Sequence, residues 1–262
     1  MTKSGSIDVI GFGPGSKEDM TFRAAHAIEQ ADLVVGYKTY IEILRKFFPE
    51  AHYYSTPMTK EIERCEYAVM KALEGLRVAV VSSGDSGIYG MAGIMLEIAD
   101  RTKGGNEIDI RVVPGITAAS SAGAGLGAPL MHDTAIISLS DLMTPLDTIF
   151  KRVEAAAASD FVICFYNPRS RKRQDYLDRA CKIIERYRSS ETPCGVASHV
   201  GREQETYIIT NLADLPREEI DMFSVVIIGN SQTKIMNGKL VTPRGYEKKY
   251  LDNQGNELPN EE

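Results

Sequence analysis

Short apolar runs recur along the chain, and most give way to a loop rich in glycine, serine or asparagine. The runs predict strands near residues 7–11, 33–36, 78–82, 110–113, 135–139, 161–165, 194–198, 206–209 and 225–229. Helical patterns lie between many of them. Ile62, Cys65, Val69 and Leu73 share one face of a helix after Pro57, and Leu177, Cys181, Ile184 and Tyr187 share one face of a helix expected over 173–188. Strands alternating with helices predict an α/β protein with mostly parallel sheets, since a parallel pair needs a crossover that a helix supplies. The adjacent runs at 194–198 and 206–209 read instead as an antiparallel pair. The longest runs, such as FSVVIIG, are strand-sized, so no transmembrane helix is predicted.

With 262 residues, 43% of them hydrophobic, the chain can bury two cores. About as many strands precede Pro114 as follow it. This predicts an α/β domain over 1–114, a second over 115–245 and a polar tail over 246–262. The linking stretch GITAASSAGAGLGAP is rich in small residues, which let neighbouring backbones approach closely. A net charge of −6 argues against a general nucleic-acid binder. Cys65, Cys164, Cys181 and Cys194 form no CxxC pair, and His26, His52, His132 and His199 are scattered. No metal site is therefore expected from local spacing, and the thiols are expected to be buried. The opening MTKSGSIDVI lacks the apolar core of a signal peptide, so a cytoplasmic protein is expected.

The loops after the strands carry the chemistry. GFGPGS, SSGDSGIYG, PGITAASS, YNPRSRKR, HVGREQE and NSQTK each follow an apolar run. In open α/β sheets, ligands bind outside the carboxyl ends of the strands. Loops of this kind in both halves predict a cleft between two domains. The first loop is not a dinucleotide fingerprint: Ser16 stands where the third glycine belongs, and Pro14 removes a backbone donor. No Gly-Lys-Ser/Thr follows at P-loop spacing either. The loop suits close packing around an uncharged or cationic group.

IGFGPG (10–15), SSGDSGIYG (82–90), VPGITAASSAGAGLGAPLMHD (113–133), YNPRSRKR (166–173) and GREQE (201–205) occur in that order. Together they resemble the tetrapyrrole methylases, which are class III S-adenosylmethionine-dependent methyltransferases. The likeness runs from Ile7 to about Tyr246. HDTAIISLSDLMTP (132–145) and LVTPRGYEKK (240–249) are similar to the branch that methylates C17 of precorrin-3B, or of its cobalt counterpart, with ring contraction in cobalamin biosynthesis. Other readings stay open. One is a methylase for another ring carbon, such as C11 of precorrin-4; another is a relative acting on RNA or a modified protein side chain. A third is a module that holds S-adenosylmethionine or a tetrapyrrole without turnover.

The resemblance implies two α/β domains, a folded S-adenosylmethionine in the cleft between them, and a homodimer. It places Pro14 at the border of the cofactor. Ser83, Gly84, Asp85 and Ile88 would line its amino-acid and ribose parts, Thr117 and Ala118 would touch it from the next loop, and Tyr166, Asn167 and Ala197 would flank the adenine. Ser86 stands where the family often has proline.

Methyl transfer from a sulfonium needs no protein nucleophile, and positioning alone can contribute about 7–11 kcal/mol. Ring contraction calls for a proton donor or acceptor. The candidates are Asp85, His132, Asp133, Ser138 and Asp141. A polycarboxylate substrate calls for cations, and arginine forks match carboxylates. Arg169, Arg171, Lys172 and Arg173 are candidates, with His199 and Arg202 behind them.

Overall fold

The structure, a computed structural model, describes residues 5–170 and 174–246. Arg171, Lys172 and Arg173, and the polar tail beyond Tyr246, lie outside the described residues. The chain forms two compact units. The first contains residues up to Ser121 together with Val200–Glu203, and the second contains Ala122–His199 and the residues from Gln204 on. The division falls beyond Pro114 because the glycine loop after it packs with the first unit. Val200–Glu203 returns to that unit because Gly201 sits against Pro14 and Gly15.

The first unit runs β1 (Ser6–Gly11), α1 (Phe22–Glu29), β2 (Leu33–Tyr37), α2 (Lys38–Arg45), β3 (Tyr53–Thr56), α3 (Glu61–Leu73), β4 (Arg77–Ser82), α4 (Ala92–Arg101) and β5 (Asp109–Val113). α5 (Ala118–Leu126) follows and carries the chain into the second unit. The strands form one wholly parallel sheet in the order β3-β2-β4-β1-β5. Ile7, Val9, Val78 and Val80 pack with Cys65, Val69 and Met95 of α3 and α4. Ile10, Val34, Ala79 and Val81 pack with Ile28, Ile41 and Leu44 of α1 and α2. Burial on both faces explains why these strands read as continuous apolar runs. α3 departs from its predicted face: Ile62 is 60% exposed, and the buried stripe is Arg64, Cys65, Ala68, Val69 and Ala72. The two alanines bring the helix close to the sheet, and the Arg64 guanidinium turns inward to donate to Thr56 Oγ1 (3.0 Å) and the Pro57 carbonyl (3.3 Å).

The second unit holds β6 (Gly127–Ala128), β7 (Thr134–Ser138), α6 (Leu146–Ala158), β8 (Val162–Tyr166), α7 (Tyr176–Ile184), β9 (Pro193–Ser198), β10 (Thr206–Asn211), β11 (Ser224–Ile228), β12 (Lys234–Met236) and β13 (Lys239–Val241). Its main sheet has the order β10-β9-β11-β8-β7, and a small sheet has the order β12-β13-β6. β7 and β8 pair in parallel, and the expected β9–β10 pair is antiparallel, with Thr206 opposite Ser198. β11 runs antiparallel to both β8 and β9, so the antiparallel pairings gather in this unit. α6 and α7 cover one face through Ile149, Val153, Leu177, Cys181 and Ile184. α7 is shorter than predicted, and Tyr187 lies past its end, 46% exposed. Among the described residues no helix is long and apolar enough to cross a membrane.

Candidate active site

Three loops meet at the carboxyl edge of the parallel sheet, all within the first unit. The loops after β1 and β4 pair through their backbones: Gly13 N–H donates to the Gly84 carbonyl (3.1 Å), and Gly84 N–H donates to the Gly13 carbonyl (2.7 Å). The loop after β5 closes onto both. A Cβ at Gly115 would lie 2.3 Å from the carbonyl oxygens of Gly11 and Gly84. Asp85 joins the loops by accepting from Gly115 N–H at Oδ2 (3.0 Å) and from Gly87 N–H at Oδ1 (2.8 Å). Ser86 is buried and its hydroxyl reaches the Val9 carbonyl (3.0 Å), a tie that a proline could not make.

This geometry tests the candidate ligands. The Phe12 N–H donates to Ser82 O (3.0 Å), Gly13 N–H is committed to Gly84, and Pro14 has none. These three successive positions therefore offer no nest of amides for a pyrophosphate. S-adenosylmethionine fits better. Gly84 has a φ of +69°, and a Cβ there would meet nothing nearer than Ala118 N at 3.6 Å. The space beside Gly84 is thus bounded by Thr117 and Ala118, the pair expected at the cofactor. Ser82 Oγ, at the root of the loop, is buried without a hydrogen-bond partner among the described residues. Ser83, Asp85 and Ile88 are half-buried around it, and Pro14 is buried.

Arg202 also belongs here. A Cβ at Gly15 would lie 3.1 Å from its Cγ, so it sits in the first unit. Lys46 and Glu203, 2.9 Å apart, tie the same segment to α2.

In the second unit, β7, β8 and β9 deliver Ser138, Tyr166 and Ala197 to one edge of the sheet. Asn167, at φ +51°, donates to Ser138 Oγ (3.0 Å). Asp141 accepts from the Tyr176 hydroxyl (2.8 Å). Ala197 is fully buried within β9. His199 has a φ of +54°, and its Nε2 lies 3.3 Å from Asp221 Oδ2. Asp221 Oδ1 accepts from Ser224 Oγ (2.9 Å), which in turn lies 2.8 Å from Ser198 Oγ.

The family model for Tetrapyrrole (Corrin/Porphyrin) Methylases matches residues 6–216. The chain belongs to this family. A protein of Salmonella typhimurium named "Probable cobalt-factor III C(17)-methyltransferase" is 48% identical over 92% of this chain and 99% of its own. The "Cobalt-factor III methyltransferase" of Priestia megaterium is 45% identical over 95% of this chain, which spans about half of that relative's length (47%). The crystal structure of the methyltransferase CobJ superposes with a TM-score of 0.86 at 34% identity, covering 92% of this chain and all of its own (100%).

For two groups of sequence-predicted site residues in this tetrapyrrole methylase, the second unit supplies positions and partners that the sequence does not announce. His132 and Asp133 precede β7, and Asp133 O accepts from Val162 N–H at the start of β8 (3.0 Å). They lie at the amino edge of the sheet, exposed, with the length of β7 between them and Asp141. At roughly 3.3 Å per strand residue that separation exceeds about 10 Å. Arg169 is engaged within its own unit. Its Nη2 bonds Asp178 Oδ1 (2.6 Å) and the Pro216 carbonyl (2.5 Å), and its Nη1 reaches Glu218 O (3.4 Å). Arg169→Ala is expected to destabilise the fold by about 1–3 kcal/mol, since two carbonyls and a carboxylate lose a charged donor. Urea unfolding measures this, and an unchanged midpoint would refute the clamp.

Asp221 was not legible as a site residue; DMFS carries no motif, and only the fold brings it to His199. The thiols are inert. Burial pushes Cys65, Cys164 and Cys181 up to about 12 and Cys194 well above its ordinary value, so none is a thiolate at neutral pH.

Proposed function

We propose that this methylase transfers a methyl group from S-adenosylmethionine to C17 of cobalt-factor III, with the accompanying ring contraction, in cobalamin biosynthesis. Near-full-length identity to proteins of that name supports the substrate. The observation that carries the cofactor assignment is the glycine contact of three loops, in which the Phe12 and Gly13 amides are committed and the space beside Gly84 is bounded by Thr117 and Ala118. When bound, S-adenosylmethionine supplies a methyl group already activated as a sulfonium.

The chain's own contribution is placement. Ser83, Gly84 and Ile88 line the methionine and ribose parts, Pro14 borders them, and Thr117 and Ala118 close the side. Tyr166, Asn167 and Ala197 are the proposed adenine contacts, Ala197 through its backbone because its side chain is buried. Asp85 braces the loops and moves no proton. Of the four acidic or imidazole groups first considered for proton transfer, Asp141 keeps the role, held by Tyr176 on the same sheet edge as Asn167. The His199–Asp221 pair is an additional candidate on that edge. We further propose that the enzyme works as a cytoplasmic homodimer, which sedimentation of the purified protein would test.

Incubation with methyl-labelled S-adenosylmethionine should transfer label to cobalt-factor III. Transfer only to precorrin-3B would reassign the substrate to the metal-free series. Cofactor binding without transfer to either would make the protein a binding module.

A further inference from the structure

Two candidates for a substrate carboxylate lie among the described residues of the second unit, and they differ in what remains open. The Arg169 fork meets Asp178 and two carbonyls. His199 follows β9, at the sheet edge that also carries Asn167. Its backbone N–H donates to Phe223 O (3.2 Å), and its ring lies beside that of Phe223, with centroids 5.1 Å apart. The side chain is 24% exposed, and its Nε2 lies 3.3 Å from Asp221 Oδ2. Nδ1 has no partner among the described residues and is not one of the buried unpartnered atoms, so solvent reaches it. Asp221 is the one charged group among those residues that His199 meets.

Asp221 is itself held. Its Oδ1 accepts from Phe223 N–H (2.8 Å) and from Ser224 Oγ (2.9 Å). Ser224 Oγ has one hydrogen and gives it to that bond, so Ser198 is the donor across their 2.8 Å contact. Asp221 N–H also donates to Ser224 Oγ (3.1 Å). Ser224 is buried and stands opposite Ser198 in the β9–β11 pairing, so the sheet register sets this chain of groups. Oδ2 is the oxygen left for His199. A carboxylate oxygen repels a ring lone pair, so the hydrogen sits on Nε2. Nδ1 then carries a lone pair in the neutral ring and an N–H in the imidazolium. A ligand carboxylate at Nδ1 is repelled by the first and bound by the second, and opposite charge on both sides favours the charged ring.

We propose that His199 receives one carboxylate of the tetrapyrrole and that Asp221 is its positioning residue, so that the macrocycle binds together with one proton. This rests on the reading of the chain as an enzyme acting on a polycarboxylate tetrapyrrole. The test compares wild type, His199→Gln, Asp221→Asn and, as a control, the exposed His52→Gln. The macrocycle probe is uroporphyrin III, followed by fluorescence quenching. Calorimetry at about pH 8, above the usual imidazole range, is run in phosphate and in Tris, whose different ionisation heats report proton uptake. Further readouts are S-adenosylhomocysteine affinity, thermal unfolding, KM for cobalt-factor III and the ring nitrogen NMR signals of His199, assigned by their loss in His199→Gln.

Wild type and His52→Gln should take up about one proton with the probe. His199→Gln and Asp221→Asn should take up none, and their macrocycle Kd and KM should rise about tenfold. Both should bind S-adenosylhomocysteine within about twofold of wild type and unfold near its temperature, since an exposed pair contributes little to stability. In Asp221→Asn the His199 signals should lose the Nε2–H pattern, which a merely structural role would leave unchanged. Unaltered macrocycle binding in His199→Gln would overturn the proposal, as would an equal loss of S-adenosylhomocysteine affinity or a wild type that binds the probe without proton uptake. A wild-type ring pattern in Asp221→Asn would overturn the positioning role. If wild type binds the probe with proton uptake but methylates neither substrate, the functional reading fails and the carboxylate receptor stands. If wild type binds no macrocycle, both fail.

Discussion

Gly115→Ala is expected to lower kcat/KM for methyl transfer by about 100-fold or more and to destabilise the fold by about 1–3 kcal/mol. The added methyl would sit 2.3 Å from two carbonyl oxygens, those of Gly11 and Gly84. Neither can swing away as a side chain would. Gly11 ends β1, and Gly84 is paired to Gly13 through two backbone hydrogen bonds. The loops must therefore part by about 1 Å to restore ordinary contact, and a misplacement of that size at reacting groups can cost about 100-fold. Parting also draws Gly115 N–H off Asp85, which loosens the second tie between the same loops. Gly93→Ala is the control: in α4 a Cβ meets nothing within 4 Å, so this change should be neutral or stabilising by up to about 1 kcal/mol. Calorimetry with S-adenosylhomocysteine and label transfer check the pair. Wild-type affinity in Gly115→Ala would mean that the glycine contact does not shape the cofactor site.

That contact shows which kinds of information the sequence carries. Runs such as IDVI and VAVV announce β1 and β4 because central parallel strands are buried on both faces. β3, whose sequence is YYST, is a four-residue edge strand without an apolar run, so the residue pattern does not announce it. Close spacing revealed the β9–β10 hairpin, yet nothing local shows that β11 inserts between β9 and β8, which is a matter of long-range pairing. The glycines of GFGPG, SSGDSG and VPGIT mark places of close backbone approach. Which backbones approach follows only from the strand order, which sets β1 between β4 and β5.

Side-chain roles were less legible than loop positions. Arg169 sits in a basic run that reads as a carboxylate receptor. The carboxylate it meets is Asp178, in the first turn of α7, together with carbonyls of Pro216 and Glu218 far along the chain. His132 and Asp133 adjoin a strand in the sequence, and the strand's direction puts them at its amino end. Pairing and direction are properties of the assembled sheet, and the residue pattern along one segment does not encode them.

Asp85→Ala is expected to weaken S-adenosylhomocysteine binding by about 10- to 100-fold. Both carboxylate oxygens already accept backbone N–H groups, Gly87 at 2.8 Å and Gly115 at 3.0 Å. Removing them leaves two donors to be satisfied by water and unties the loops after β4 and β5. A hydrogen bond to a charged acceptor contributes about 1.5–3 kcal/mol, and partial exposure of Asp85 reduces what two of them give. Asp85→Asn separates a brace from a proton donor. Its amide oxygen can serve one N–H while its NH₂ opposes the other, so a brace predicts an intermediate loss of cofactor affinity. A proton donor predicts intact affinity with a fall in kcat alone. Combining Asp85→Ala with Gly115→Ala sharpens the distinction. Two changes that disrupt one loop contact should cost less together than the sum of their separate effects, because the second finds the contact already broken. Strict additivity in the calorimetric affinities would show that Asp85 and Gly115 act independently, and the brace would then have to be abandoned.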